Sequence, residues 1–521
     1  METQAARILP PSHAVFPSRQ EFHRLAQHAT LIPVYTEVIA DTETPVSALL
    51  KLGESPYRFI LESVERGERL GRYSFVGNTA SLVFKSRGKS VSIGRPARRG
   101  PARQFEFEHF EVSDPLDALR DLLNECRPAE VPGLPKFYGG AVGYLSYDMV
   151  RHFERLPDRH PDPLGLPEAY FIFSDTVLIF DHAQRTLKIV ASTRVDGKDP
   201  DEAYDDALGR IGHVVERLSA PSSDAFPAVM ALQPRGEEAA PRARLSSNME
   251  RSQFEAMVAS GREYIRSGEI LQVVLSQRFS VETHATPIDI YRSLRAINPS
   301  PYMFYLDFPD LALAGSSPEV MVQLEDGMAR IRPIAGTRPR GLTPQEDEAL
   351  VEELLADEKE VAEHVMLVDL ARNDLGRVCE YGTIGVDERM VVEKYSHVMH
   401  IVSNVTGRLA PERDCFDLLR ATFPAGTVSG APKVRAMEII DELEPCRRGP
   451  YSGSVGYFGY TGNMDMCITI RTVLVKEGVA YIQAGAGIVA DSDPSREYEE
   501  TVNKAKAMFR AIAMAEEGAS R

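Results

Sequence analysis

The chain has 521 residues and a net charge of −17, with 43% hydrophobic and 26% charged residues, the balance of a globular enzyme. That length exceeds what one core usually fills, so two domains are expected. Such acidity suits neither nucleic acid nor an anionic membrane surface, no stretch is apolar for long enough to span a bilayer, and METQAARILPPSHAVFPSRQEF lacks the apolar run of a secretory leader.

Residues 1 to 30 read as a loose arm with a short helix at 19–27. VSALLKL (46–52) reads as a second short helix. YRFILESV (57–64) and YSFVGNTASLVFKSRGKSVSIG (73–94) are aromatic and β-branched with turns between, hence strands. SDPLDALRDLLNEC (113–126) has a Ser/Asp cap followed by helical leucine spacing. FYGGAVGYLSYD (137–148) is glycine-rich and aromatic, as in closely packed strands. AYFIFSDTVLIFDHAQRTLKIVAST (169–193) reads as a hairpin of two buried strands. The Ala-, Pro- and Ser-rich stretch that follows is a linker, 223–247, between an N-terminal region, 1–222, and a second domain, 248–521. Ser247 and Glu250 form a capping box for a helix carrying Phe254, Met257, Val258, Tyr264 and Ile265. Beyond it, strands (ILQVVLSQRFSVET, YMFYLDF, VMVQLED, GMARIRPIAG, VAYIQAGAGIVA) alternate with long helices at 344–369 and 495–515. No repeat is visible, and the hairpin-like order of strands predicts an α+β fold. Cys126, Cys379, Cys415, Cys446 and Cys467 lack metal-like spacing and read as free thiols in a reducing cytoplasm.

Several stretches carry chemistry. In DEKEVAEHVMLVDLARNDLGRV (357–378), Glu360 and Glu363 stand three apart and share a helix face. Glu497 and Glu500 repeat the device in DPSREYEETVNKAKAMF (493–509). A single such pair is an ordinary solvated face. Two helices each presenting two carboxylates could enclose a hard cation such as Mg²⁺. PIAGTRPRG (333–341) is a glycine-bearing turn with Arg332, Arg338 and Arg340 around it, suited to an anion. PAGTVSGAPKVRAMEII (424–440) places Gly426, Thr427 and Ser429 before a helix opened by Pro432 and Lys433, where free amides and hydroxyls suit a carboxylate. AGAGIVADSDP (484–494) allows close backbone approach to a ligand, without the spacing of a nucleotide loop. His400 sits in an apolar strand, as either a core histidine or a base poised near neutrality. Arg471, in a β-branched run, needs an anionic partner.

SSPE (316–319), PIAGTRPR, the 357–378 helix, PAGTVSGAPK, YSGSVGY (451–457) and AGAGIVADSDPSREYEET occur in this order, with ILES (60–63), RYSFVG (72–77) and YGGAVGYLSYD (138–148) upstream. Together they resemble the chorismate-utilising enzyme family, and its anthranilate synthase component I branch most closely. The resemblance implies an α+β fold of two large antiparallel sheets packed as a core flanked by helices. It implies Mg²⁺ as cofactor, with Glu363 and Glu500 as the direct ligands and Glu360 and Glu497 completing the shell. Chorismate would be held by Gly336, Thr337, Thr427, Tyr451, Arg471, Gly485, Ala486, Gly487 and Lys504. Glu319 would be the general acid, and His400 would serve the loss of a ring proton and pyruvate. Ala335 stands where aminodeoxychorismate synthases often carry a nucleophilic lysine, and Gln272 where isochorismate and salicylate synthases carry a water-activating one. Both point to direct amination by ammonia, giving anthranilate and pyruvate in the first committed step of tryptophan biosynthesis. No glutaminase motif is visible, so a separate glutamine amidotransferase subunit, and hence a hetero-oligomer, is implied. ILES and NPSPYMFYLDF (298–308) imply a tryptophan feedback site at Ser63, Pro301, Tyr302 and Met303, with Glu62 beside it. The alternatives are aminodeoxychorismate synthase component I and an inactive tryptophan sensor.

Overall fold

Runs of β-branched and aromatic residues become strands, and every pairing between them is antiparallel in the computed structural model, which describes residues 14–62, 71–97, 104–220, 245–395 and 398–519. The strands form two sheets, one of 13 and one of 12. Each sheet draws strands from both sides of 221–244. Arg58–Glu62 pairs with Tyr302–Asp307 in the first sheet. Gly140–Leu145 pairs with Ser454–Gly459 in the second. Phe59, Ile179, Phe304 and Leu313 of the first sheet meet Val142, Tyr170, Ile172 and Val455 of the second in a shared core. Helices cover the outer faces: Ile211, Leu294 and Ile512 pack on the first sheet, as does the helix bearing Met437, and Leu119 and Leu419 lie in the core beside the second. Fully burying one such side chain stabilises the fold by about 2 kcal/mol. No helix among the described residues is long and apolar enough to cross a membrane, and all five cysteines are free.

Four local expectations change. Residues 169–193 hold three strands, not two. Ala169–Ser174 belongs to the second sheet, while Thr176–Asp181 and Thr186–Arg194 pair in the first, so the chain changes sheets at Asp175. Residues on both sides of that step are buried on both faces, so no alternation marks it. GMARIRPIAG likewise splits, into Met328–Ile331 and Ile334–Pro339, around Pro333, which has no amide hydrogen to donate. The helix expected at 344–369 is two, Pro344–Ala356 and Glu358–Gly376. Asp357 ends the first and accepts hydrogen bonds from the amides of Lys359 at 3.1 Å and Glu360 at 3.3 Å to start the second. The capping pair of Arg251–Arg266 is Glu250 with Gln253, whose side chain accepts from the Glu250 amide at 2.8 Å; Ser247 lies in a short strand instead. Ser63, the arm before residue 14 and most of the linker lie outside the described residues.

Candidate active site

Two neighbouring strands make the floor of the site. Gln272–Glu282 and Val479–Ile488 pair with Val274 opposite Gly487 and Ser276 opposite Gly485. The small residues Gly485, Ala486 and Gly487 let side chains close in on the backbone. A Cβ at Gly485 would lie 2.7 Å from the Tyr451 hydroxyl, and one at Gly487 would lie 2.8 Å from Gln272 Nε2. From the helix Pro494–Ala519, Lys504 donates to the Gly485 carbonyl at 3.0 Å and pairs with Glu500 at 2.7 Å. Arg471 holds a positive φ of 51° at the break between Met464–Ile468 and Thr472–Lys476, rather than lying within a strand. Burial lowers its pKa, against the opposing pull of Tyr451 and Glu500, and its guanidinium has no ion pair among the described residues. With Glu500, Asn503 and Lys504 it lines a cleft of ≈ 580 Å³. An enclosed guanidinium without a carboxylate is a place for a ligand's carboxylate.

The carboxylate pairs sit on the two helices as the spacing predicted. Gln272 Nε2 donates to Glu363 Oε1 at 3.2 Å, tying the first pair to the floor. Burial, and then the neighbouring Glu363, raise the pKa of Glu360, while Arg338 opposes them. Burial also raises Glu497, with Ser492 opposing and Glu500 adding to the rise. Lys359 of one helix lowers the pKa of Glu497 on the other. Among the described residues no three acidic or imidazole groups come close enough to hold an ion by themselves. The four are two separate pairs, one of them engaged by Lys504.

PIAGTRPRG is not a simple turn. It runs as the strand Ile334–Pro339 against Val398–Arg408, with a bulge between Ala335 and Arg338 made by Gly336 at φ 68°. A Cβ on Gly336 would lie 3.3 Å from Glu360 Oε2. The arginines around it already have carboxylates: Arg338 meets Asp357 at 2.8 Å, Arg340 meets Asp347 at 2.6 Å, and Arg332 meets Glu393 at 2.6 Å. They brace the strand rather than wait for an anion. The bulge also turns the Gly336 carbonyl toward His400, 2.9 Å from Nδ1, with Thr337 Oγ1 at 3.1 Å. A carbonyl only accepts, so Nδ1 carries the hydrogen and Nε2 of the neutral ring keeps its lone pair. Burial lowers the His400 pKa, the Gly336 contact opposes this, and Arg471 lowers it further.

Glu319 follows the strand Ala312–Ser317 and is buried, which pushes its carboxyl up to about 8. Thr427, in the short turn Gly426–Val428, opposes that rise. Its buried hydroxyl makes no hydrogen bond of ordinary geometry with any described group. The site therefore sets a carboxyl raised by burial beside the Thr427 hydroxyl.

The profile of the family described as chorismate binding enzyme matches residues 79–510. The chain belongs to the chorismate-binding enzymes. It is 49% identical to anthranilate synthase component 1 of Acetivibrio thermocellus over 95% of this chain and 98% of that protein. It is 47% identical to the component 1 of Aquifex aeolicus over 96% and 98%. Among solved structures it resembles anthranilate synthase component I from Streptococcus pneumoniae, with 37% identity, a TM-score of 0.72, and coverage of 86% of this chain and 93% of that one.

A second cavity in this chorismate-binding enzyme, ≈ 530 Å³, is lined by Glu62, Pro301, Tyr302 and Met303 among others. Tyr302 donates to Asp465 at 3.1 Å, and Gln323 donates to the Tyr302 hydroxyl at 2.9 Å and to Asp465 at 3.0 Å. Burial pushes Asp465 up to about 6. Glu62 is already engaged, accepting from Tyr291 and paired with Arg295 at 2.7 Å. Asp465 and Gln323 were not foreseen from sequence, because NMDM and MVQ have no pattern of their own. The same holds for Glu444 and Arg448, beside Tyr451. Their one signal was a charge run, EPCRRG (444–449), ahead of a glycine-rich hairpin.

Proposed function

We propose that the chain is the large subunit of an anthranilate synthase, converting chorismate and ammonia to anthranilate and pyruvate. What carries this reading is the buried carboxyl of Glu319, which burial pushes up to about 8, in a site with Ala335 and Gln272 at the two positions where lysine-bearing relatives carry lysine. Glu319 donates its proton to the C4 oxygen of chorismate as the C4–O bond breaks and water leaves. Ammonia adds at C2 as the ring double bonds shift. His400 Nε2 then takes the C2 proton, the enolpyruvyl C–O bond breaks, and the leaving group gains a proton to become pyruvate. Arg471 and Lys504 hold the carboxylates, with Gly336, Thr337, Thr427, Tyr451 and the Gly485–Gly487 backbone shaping the pocket.

Carboxylate oxygens are the donors Mg²⁺ prefers, and Glu360, Glu363, Glu497 and Glu500 present four carboxylates from two helices as two separate pairs, with Glu360 and Glu497 raised by burial and by a like-charged neighbour. Glu363 and Glu500 would hold it directly, Glu360 and Glu497 around them. When bound it neutralises carboxylate charge in the cleft. In the cell the ammonia comes from a cytoplasmic glutamine amidotransferase subunit, and the second cavity takes tryptophan as a feedback inhibitor. Its hydrogen-bonding floor and the place of Pro301, Tyr302 and Met303 on its wall support that assignment.

The test is the fluorescence of anthranilate formed from chorismate and ammonium by the purified chain, with and without Mg²⁺. Magnesium-dependent anthranilate is expected. An aminated product that does not fluoresce as anthranilate would assign the chain to aminodeoxychorismate synthesis. Untouched chorismate would leave a binding protein.

A further inference from the structure

Arg448 makes no hydrogen bond to the groups assigned to chorismate, though its guanidinium lies 5.6 Å from the centre of the Tyr451 ring; it is only 2% exposed and uses all five of its N–H donors. Nε and one terminal nitrogen hold Glu444 at 2.9 and 2.6 Å. The other terminal nitrogen donates to the Val428 carbonyl at 2.7 Å and the Ser452 hydroxyl at 3.2 Å. The remaining hydrogen goes to the Val274 carbonyl at 2.7 Å. The three acceptors besides Glu444 lie within two residues of a site residue in the chain: Val428 follows Thr427, Ser452 follows Tyr451, and Val274 lies two residues beyond Gln272.

The other half of the pair reaches the floor as well. Glu444 Oε1 accepts from both the amide and the hydroxyl of Ser276 at 2.8 Å, and Gln483 donates to that hydroxyl at 2.8 Å from the strand that bears Gly485. Ser452 holds a positive φ of 63°, a conformation a non-glycine residue keeps only where its surroundings over-determine it. Arg448 and the Ser452 amide, which donates to the Thr469 carbonyl at 3.0 Å, supply that determination. A guanidinium fork can serve four acceptors on four segments at once; an ammonium cannot.

We propose that Arg448, locked by Glu444, is a positioning residue that fixes Thr427, Tyr451 and the Gln272 strand relative to one another. The inference rests on the reading of the cleft as the site of chorismate amination. It is tested by Arg448→Lys, which keeps the charge opposite Glu444 but not the fork, and by Ser452→Ala, which removes one acceptor and leaves the ion pair. Amide hydrogen exchange is followed by mass spectrometry, and kcat and KM for chorismate are measured with ammonium as nitrogen donor. In Arg448→Lys, exchange at 426–431 and 449–453 rises together, and kcat/KM falls by about tenfold or more, mainly in kcat. The loss multiplies only in part with that of Tyr451→Phe, because Arg448 acts partly through that phenol. Exchange that rises only at 444–448, kinetics within about twofold of the parent, or fully multiplying losses would overturn the proposal. Should Arg448→Lys not fold, Ser452→Ala decides: faster exchange at 451–453 with a lower kcat supports it, and neither change refutes it. A parent chain that makes no anthranilate refutes the proposed function alone, since the exchange measurements still decide the role of Arg448.

Discussion

Glu319 and His400 divide the proposed reaction between an acid kept protonated by burial and a base kept neutral by burial, and each makes a distinct prediction. The acid form of Glu319 is the active one, so kcat should fall as pH rises through about 8. Glu319→Gln, which has no proton to give, should lose about 10²- to 10⁴-fold in kcat, read by anthranilate fluorescence. The same group has a stability signature. Its folded-state pKa lies above the ordinary value of 4.5, so its contribution is fully present below pH 4.5 and is lost as pH rises to about 8. Urea midpoints of the parent should therefore drop between pH 5 and 8 by more than those of Glu319→Gln, and parallel curves would show that Glu319 does not hold its proton. For His400 the expected lesion is later in the reaction. His400→Gln should still consume chorismate while anthranilate lags behind, with an aminated, non-aromatic intermediate building up between them on chromatography. Equal loss of both rates would place His400 elsewhere. The identity of these residues was legible from ordered motifs. Their states were not, because burial and the Gly336 bulge, which fixes the imidazole tautomer, exist only once the strands are assembled.

At the scale of elements, the carboxylate helix owes its start to one residue. Asp357 stops the preceding helix, caps the next through the amides of Lys359 and Glu360, and binds Arg338 of the bulged strand at 2.8 Å. Asp357→Ala should destabilise the chain by about 1 kcal/mol through the lost cap, seen in urea unfolding. It should also raise the Mg²⁺ concentration needed for half-maximal activity, since Glu360 stands in that first turn; an unchanged magnesium dependence would separate the cap from the site. The spacing of Glu360 and Glu363 gave away their shared face, but the break was hidden, because Asp357 opens a charged run, DEKE (357–360), of the kind a solvated helix face also carries. The reverse holds for 169–193. There the strands were plain and their allegiance was not, because side chains buried on both faces carry no inside–outside alternation.

Across the whole molecule, the two stretches flanking 221–244 are joined by strand pairing rather than by packing alone. Leu61 opposes Phe304 in one sheet and Gly143 opposes Gly456 in the other. No local pattern could announce partners separated by more than two hundred residues, whereas the class of fold followed from hairpin-like strand order. This pairing builds the second cavity, and it predicts where control should be lost. Tyr302→Phe removes the hydrogen bonds to Asp465 and Gln323 and leaves a buried carboxylate short of a donor. It should raise the half-inhibitory tryptophan concentration by about tenfold, roughly 1.4 kcal/mol, with kcat unchanged; inhibition equal to the parent's would remove tryptophan from this cavity. The strand Ser454–Gly459 starts three residues after Tyr451, and its Val455, Gly456 and Tyr457 form part of the cavity wall. On the proposed function one ribbon serves substrate and inhibitor, and a slip of a single residue along it would turn its side chains to the opposite face. Variants that escape the proposed feedback should therefore change the side chains of this ribbon and keep its length.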